Sequence, residues 1–287
     1  MCIRDRASEV KLLRDKTGLG MMECKKALLE SEGDIDLAIT NLRKNSALKA
    51  EKKSLRTAAE GKILSKIDSS NNIAILLEIN CETDFVAKDQ SFIDFCDDTL
   101  DYCLKNFDSS LEVLHENYLE EKRQSLIQKI GENIVIRRKE VINSEFIYSY
   151  IHGNNKIGSI LSISKENDVI GNDVAMHIAA SAPLVISADD LDAGLINKEK
   201  EIILAQVADS NKPKDILEKM VSGRLEKFKS EVSLLSQPFV KDPSQKIQNL
   251  LKENSIEVLE FFRYGLGEGI EVEKMDFAEE VKSQLEN

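Results

Sequence analysis

Between Ile73 and Cys81 the apolar residues Ile73, Ile75, Leu77, Ile79 and Cys81 occupy every second position. Only an extended strand puts such a set on one face, because side chains alternate across a strand. Ser69-Ser70-Asn71-Asn72 just ahead of it is turn-forming, so 62–81 reads as a β-hairpin. A helical stripe follows: Phe92, Phe95, Cys96, Leu100 and Cys103, with Asp89 or Ser91 as its cap. A second hairpin pattern fills 146–164 around a turn at His152–Lys156. It leads into a helix near 172–182, ended by Pro183. Hairpin-then-helix therefore occurs twice, which predicts an α+β chain with two related subdomains.

Other segments are helical. Three short helices are expected within 8–44. Met21, Cys24 and Leu28 form the stripe of the second, and Ile35, Ala38, Ile39 and Leu42 that of the third, behind Gly33 and an Asp34 N-cap. Lys44–Arg56 reads as a solvated connector. A nucleic-acid patch is the sharper alternative, weakened by nearby acids and missing aromatics. A helix over roughly 111–130 should end at Gly131, with a strand beginning at Ile134 and Ile136. Within 196–235, two helices should flank a turn at Ser210–Pro213, with Pro213 in a first helical position. Leu217, Val221, Leu225, Phe228, Val232 and Leu235 recur at about 3.5 residues, the period of a coiled-coil seam. A short helix from Pro243, a strand near 256–264 and a last helix follow. The last has a stripe of Phe277, Val281 and Leu285 behind Asp276 and Glu279.

Composition excludes several classes. The 287 residues suggest about two domains. A net charge of −12 suits neither a nucleic-acid clamp nor phosphate neutralisation. No apolar stretch approaches the roughly 20 residues of a membrane helix. Five cysteines without a CxxC pair argue against a disulfide scaffold or zinc ribbon, and for a reducing compartment. The three histidines lie far apart, which argues against a multi-His metal site. No signal-peptide pattern opens the chain, so the cytoplasm is expected. Met1–Arg6 matches nothing that follows and reads as a non-native remnant.

No catalytic constellation stands out: there is no GxSxG, Walker A or HExxH. Gly265, Gly267 and Gly269 read as a loop closing a sheet rather than a phosphate cradle. Cys81 reads as a buried thiol rather than a nucleophile. Asp97, Asp98 and Asp101 read as solvated charge rather than a metal site. The expectation is no enzyme, no cofactor and no metal. One feature resists a purely structural reading. In Glu82-Thr83-Asp84-Phe85-Val86-Ala87-Lys88, Phe85 and Val86 sit at a strand–helix junction among charges. Either Phe85 folds back as a staple for the next helix, or it is an exposed aromatic on a rigid base, as a binding hot spot requires.

Thr83–Lys88 preceded by Asn80-Cys81-Glu82 resembles the signature of the bacterial elongation factor Ts family, the guanine-nucleotide exchange factors of the translational GTPase elongation factor Tu. Thr17–Leu28, His152-Gly153 with Ile157-Gly158, Lys212-Pro213 and Gln237–Val240 resemble further family segments, in the same order, from Ala7 onward. The chain departs from the family at Met1–Arg6, and at Asn154-Asn155-Lys156, where an Arg is common.

The resemblance implies a ubiquitin-associated-like three-helix domain over 7–56 and a core N-subdomain over 57–145. It implies a core C-subdomain over 146–190 and 236–267, with antiparallel sheets in both. A protruding coiled-coil hairpin at 191–235 and a C-terminal helical module at 268–287 complete it. It further implies that elongation factor Tu is the partner and that Thr83, Asp84, Phe85 and Val86 displace its Mg2+. Phe85 would be the wedge and Asp84 a polar partner beside it. Arg14, Met21, Met22 and His152 would be further contacts, with the coiled coil and terminal helix outermost. For Met21 the other reading is the bundle core. No direct nucleic-acid or membrane contact is expected, and a homodimer within a heterotetramer is left open. Two other readings remain: an adaptor whose three-helix domain binds a peptide or ubiquitin-like partner, and an enzyme using Cys81.

Overall fold

A computed structural model describes residues 3–207 and 213–271. In chain order it contains α1 (Ile3–Thr17), α2 (Met21–Glu30), α3 (Ile35–Lys53), β1 (Glu60–Asp68), β2 (Ile73–Cys81), a 3-10 turn at Val86–Lys88, α4 (Gln90–Lys105) and α5 (Leu111–Leu114). A π-helical turn at His115–Leu119 then leads to α6 (Glu120–Ile130), β3 (Ile134–Asn143), β4 (Ile147–Ile151), β5 (Ile157–Ile163), α7 (Asp168–Ser181), α8 (Ala193–Val207), α9 (Lys214–Val232), α10 (Ile247–Glu253) and β6 (Val258–Gly265). The strands form two antiparallel sheets, ordered β1-β2-β3 and β4-β5-β6. The chain divides into two compact units: Met1–Lys62, Glu78–Arg138 and Leu266–Asn287 in one, and Ile63–Leu77 and Lys139–Gly265 in the other.

In the first unit, α1–α3 close over Val10, Leu13, Leu19, Cys24, Ala27, Leu28, Ala38 and Leu42. Asp34 caps α3 by accepting the Leu37 N–H at 2.9 Å. Gly33 reverses the chain before it at φ +94°. The α2 stripe is Cys24, Ala27 and Leu28. Met21, expected in it, is 57% exposed. It is the first helical residue, beyond the edge of this small core, and the preceding Leu19 fills the place instead, its carbonyl 3.8 Å from the Cys24 thiol.

Lys44–Arg56 is not a solvated connector: α3 runs through it to Lys53. A buried row at i+4 spacing, Ala38, Leu42, Ser46 and Ala50, continues down this helix, which packs on α6. Ala and Ser carry little hydrophobic signal, so the row does not stand out in the sequence. Three of the five basic residues here have partners within the fold. Lys49 bonds the Glu23 carboxylate, Lys53 the Gly131 carbonyl, and Arg56 lies 3.6 Å from Glu82. These contacts leave less free positive charge for a nucleic-acid patch.

The alternation in β2 suggested one apolar face, yet all nine residues are buried. Glu78 and Asn80 are among them. Glu78 is tolerated because Arg137 and Arg138 meet its carboxylate at 3.0 and 2.5 Å, and Asn80 Nδ2 and the Gly267 amide also donate to it. An unpaired buried carboxylate would be far costlier. α4 buries the expected stripe and is capped by Asp89, which accepts the Ser91 N–H at 2.8 Å. Gly131 ends α6 in the left-handed region.

In the second unit, β4-β5-β6 is covered by α7, and its core includes Tyr148, Leu161, Val174, Ile178, Phe239 and Leu251. α7 begins at Asp168, four residues before the expected start, capped by Asn167. α10 starts at Ile247 rather than Pro243. α8 and α9 pack together through Ile203, Val207 and Val221, with Leu217, Met220 and Leu225 at the margin. Pro213 is the N-cap of α9, one place ahead of the expected position. The expected turn at Ser210–Lys212 and the terminal helix with Phe277, Val281 and Leu285 lie outside the described residues. Among the described residues no helix is long and apolar enough to cross a membrane.

Candidate partner-binding site

The junction after β2 turns sharply because Thr83 acts as a local cap. Its hydroxyl accepts the Val86 N–H at 3.3 Å, and its carbonyl accepts the Ala87 N–H at 3.2 Å. Val86 and Ala87 point inward and anchor the turn. Phe85, between them and the charged residues, points outward and is 81% exposed. The staple reading for Phe85 therefore fails. Asp84 is half-exposed and paired with Lys88 at 2.8 Å.

A five-residue stretch at the end of α6 ties this turn to the α1–α2 corner. Gln128 donates to Glu23 of α2 at 2.7 Å. A Cβ on Gly18 would lie 4.0 Å from the Lys129 side chain, and Lys129 itself donates to Ser91 Oγ at 2.7 Å. Glu132 accepts from both the backbone N–H and the hydroxyl of Thr83, at 3.0 and 2.7 Å. The same stretch thus anchors Phe85 on one side and the start of α2, with Met21 and 76%-exposed Met22, on the other. Large exposed apolar side chains on anchored backbone are what a hot spot requires. Arg14 is exposed on α1 in this unit. His152 is exposed in the second unit, where the Tyr150 hydroxyl lies 3.2 Å from its Nδ1. Sequence reading passed over Glu132 and Gln128. The only local hint was the Gly131 terminator, and nothing in the sequence links position 132 to position 83.

The chemical alternatives lose ground on the surroundings of their own residues. Cys81 is buried. That burial, with the Glu132 and Glu60 carboxylates nearby, pushes its thiol up to about 12, so almost no nucleophilic thiolate exists at neutral pH. Gly267 and Gly269 adopt φ +72° and +80°, but the Gly267 amide already serves the Glu78 carboxylate at 2.8 Å. Asp98 is paired with Lys122 at 2.7 Å.

The family described as Elongation factor TS matches residues 82–268. The elongation factor Ts of Hahella chejuensis is 48% identical, over 97% of this chain and 98% of that protein. Those of Marinobacter nauticus and Psychromonas ingrahamii are each 49% identical. They cover 96% and 99% of this chain and 95% and 98% of their own lengths. The stretch Thr83–Lys88, with its outward Phe85, lies inside the matched region, and the chain belongs to the elongation factor Ts family.

Proposed function

We propose that the protein is a translation elongation factor that exchanges guanine nucleotide on elongation factor Tu. In this reading it binds the GDP form, displaces Mg2+ and promotes GDP release so that GTP can enter. The observation that carries the reading is Phe85, held outward on a turn whose neighbours are buried and hydrogen-bonded. Family membership supplies the partner.

Linkage sets the energetic demand. A factor that weakens nucleotide binding must itself bind the nucleotide-free partner more tightly by the same ratio. A ratio of about 10⁴ corresponds to about 5.5 kcal/mol. Burying one Phe contributes roughly 1.5–3 kcal/mol. The wedge alone falls short, so contacts from Arg14, Met21, Met22 and His152 belong to the same proposal. Val86, being buried, acts as the anchor of the turn and not as a contact. Asp84 would exchange Lys88 for a partner group. In the rest of the reading, α1–α3 form a ubiquitin-associated-like domain, the two sheets with their helices form the core subdomains, and α8–α9 form a coiled-coil hairpin supplying outer contacts. The reaction takes place in the cytoplasm.

The test is release of a fluorescent GDP analogue from purified elongation factor Tu with no addition, with this protein, and with Phe85→Ala. Accelerated release that the variant loses by at least about tenfold is expected, one tenfold step being about 1.4 kcal/mol. No acceleration by the folded wild-type chain would leave an adaptor without exchange activity. Unfolding of Phe85→Ala is not expected, because an exposed ring contributes little to the core.

A further inference from the structure

Two segments that meet at the Phe85 turn lend each other a carboxylate. Glu132 accepts from the backbone N–H and hydroxyl of Thr83 at 3.0 and 2.7 Å. In return Glu82 accepts the Asn133 backbone N–H at 2.6 Å. The two consecutive pairs, Glu82-Thr83 and Glu132-Asn133, thus form a reciprocal clamp, the arrangement a capping box makes within one helix, here between distant segments. Carboxylates make the stronger, shorter class of hydrogen bond. The clamp is itself fixed. Gly131 ends α6 just before it with φ +94°, Lys53 bonds the Gly131 carbonyl, and Asn133 Nδ2 donates to the Arg56 carbonyl at 2.8 Å.

The turn needs such support. Val86–Lys88 is a single 3-10 turn, and Phe85, largely exposed, gains little from packing where it stands. Thr83 is the pivot: its hydroxyl receives the Val86 N–H while donating to Glu132, so the carboxylate fixes the residue that caps the turn. We infer that Glu132, assisted by Glu82, is a positioning residue that holds Phe85 in the geometry needed for nucleotide exchange. This rests on the exchange reading above. A pre-ordered aromatic avoids the entropy of being fixed on binding, which is where preorganisation gains affinity.

The sequence contains no tryptophan, so Phe85→Trp places a single indole on the turn. The experiment compares Phe85→Trp with Phe85→Trp/Glu132→Gln by time-resolved anisotropy. In parallel, GDP release is measured for wild type, Glu132→Gln, Phe85→Ala and the double variant, with circular dichroism confirming folding. The expected results are a larger fast-depolarising fraction at position 85 without Glu132, and a roughly tenfold lower maximal release rate for Glu132→Gln. No further loss is expected when Glu132→Gln is added to Phe85→Ala. A merely structural glutamate would lower both backgrounds equally. Unchanged depolarisation overturns the clamp, whatever the exchange data. Loosened depolarisation with an unchanged release rate overturns its role in exchange. Failure of the wild-type chain to accelerate release overturns the exchange reading itself, and with it any role for Glu132 in exchange. If Glu132→Gln does not fold, Glu82→Gln repeats the comparison from the other arm.

Discussion

His177 is fully buried, and every polar atom of its ring is occupied. The Val240 backbone N–H donates to Nδ1 at 3.2 Å, so that nitrogen carries no proton, and Nε2 must donate to Gln237 Oε1 at 2.9 Å. Gln237 passes the constraint on, donating to the Ser181 and Glu231 carbonyls at 3.2 and 2.6 Å. A second ring proton would confront the Val240 N–H. Burial lowers the pKa of His177 from its ordinary 6.5, outweighing the Gln237 bond that opposes it. The folded state therefore resists a proton that the unfolded chain accepts below about pH 6.5, and stability must fall as pH drops through that value. Urea midpoints measured from pH 7.5 to 5 should decline, and the His177 ring resonance should titrate below 6.5. A ring that titrates at or above 6.5 would refute the assignment. None of this was legible in advance: a lone His in a helix carries no sign of its tautomer. Phe85 shows the same limit differently. Its position between strand and helix is plain in the sequence, but whether it folds in or out depends on Val86 and Ala87 reaching the core first.

Elements were legible where hydrophobic contrast was strong and misread where small residues did the packing. The β2 run stands out because Ile73, Ile75, Leu77, Ile79 and Cys81 recur at every second position, and the α4 stripe because Phe92, Phe95, Cys96, Leu100 and Cys103 recur at helical spacing. The lower half of α3 does not, because its buried face there is Ser46 and Ala50. α7 starts four residues ahead of the expected position and takes in Gly171, a residue that disfavours a helix interior. Its reason lies across the interface: a Cβ there would come within 2.3–2.5 Å of the Tyr148 ring. That ring cannot easily move, since its hydroxyl accepts the Asn167 N–H at 3.1 Å and donates to Asp168 at 3.2 Å. Gly171→Ala therefore sets two effects against each other. Helix propensity favours Ala by about 1 kcal/mol. Overpacking against a fixed ring costs about 1–3 kcal/mol. At this distance the clash wins, and a net loss of up to about 2 kcal/mol is expected. Calorimetry should show the thermal midpoint lowered by several degrees. A rise would mean that Tyr148 yields.

For the molecule as a whole, the segmentation read from the sequence follows the period of its apolar residues: every second position in the hairpins, near 3.5 in α9. What the sequence could not say is which stripes share a core. The structure keeps the α8–α9 cluster of Ile203, Val207 and Val221 apart from the core beneath the second sheet. The base of the pair is stitched by backbone bonds. Leu184 N donates to Val232 O at 2.8 Å, Leu234 N to Val185 O at 2.9 Å and Leu235 N to Ile186 O at 3.0 Å. These bonds lie outside residues 193–228. Replacing 193–228 by a short Gly/Ser linker removes one small cluster and leaves the base intact, and closing a short flexible loop adds little entropy. The shortened chain should keep the thermal unfolding of the remaining core. On the exchange reading proposed above, in which Phe85 is the wedge and α8–α9 an outer contact, it should reach the wild-type maximal rate of GDP release at a higher protein concentration. A lower maximal rate at saturation would instead assign α8–α9 to the exchange step, and loss of folding would show that Ile203, Val207 and Val221 support the core below them.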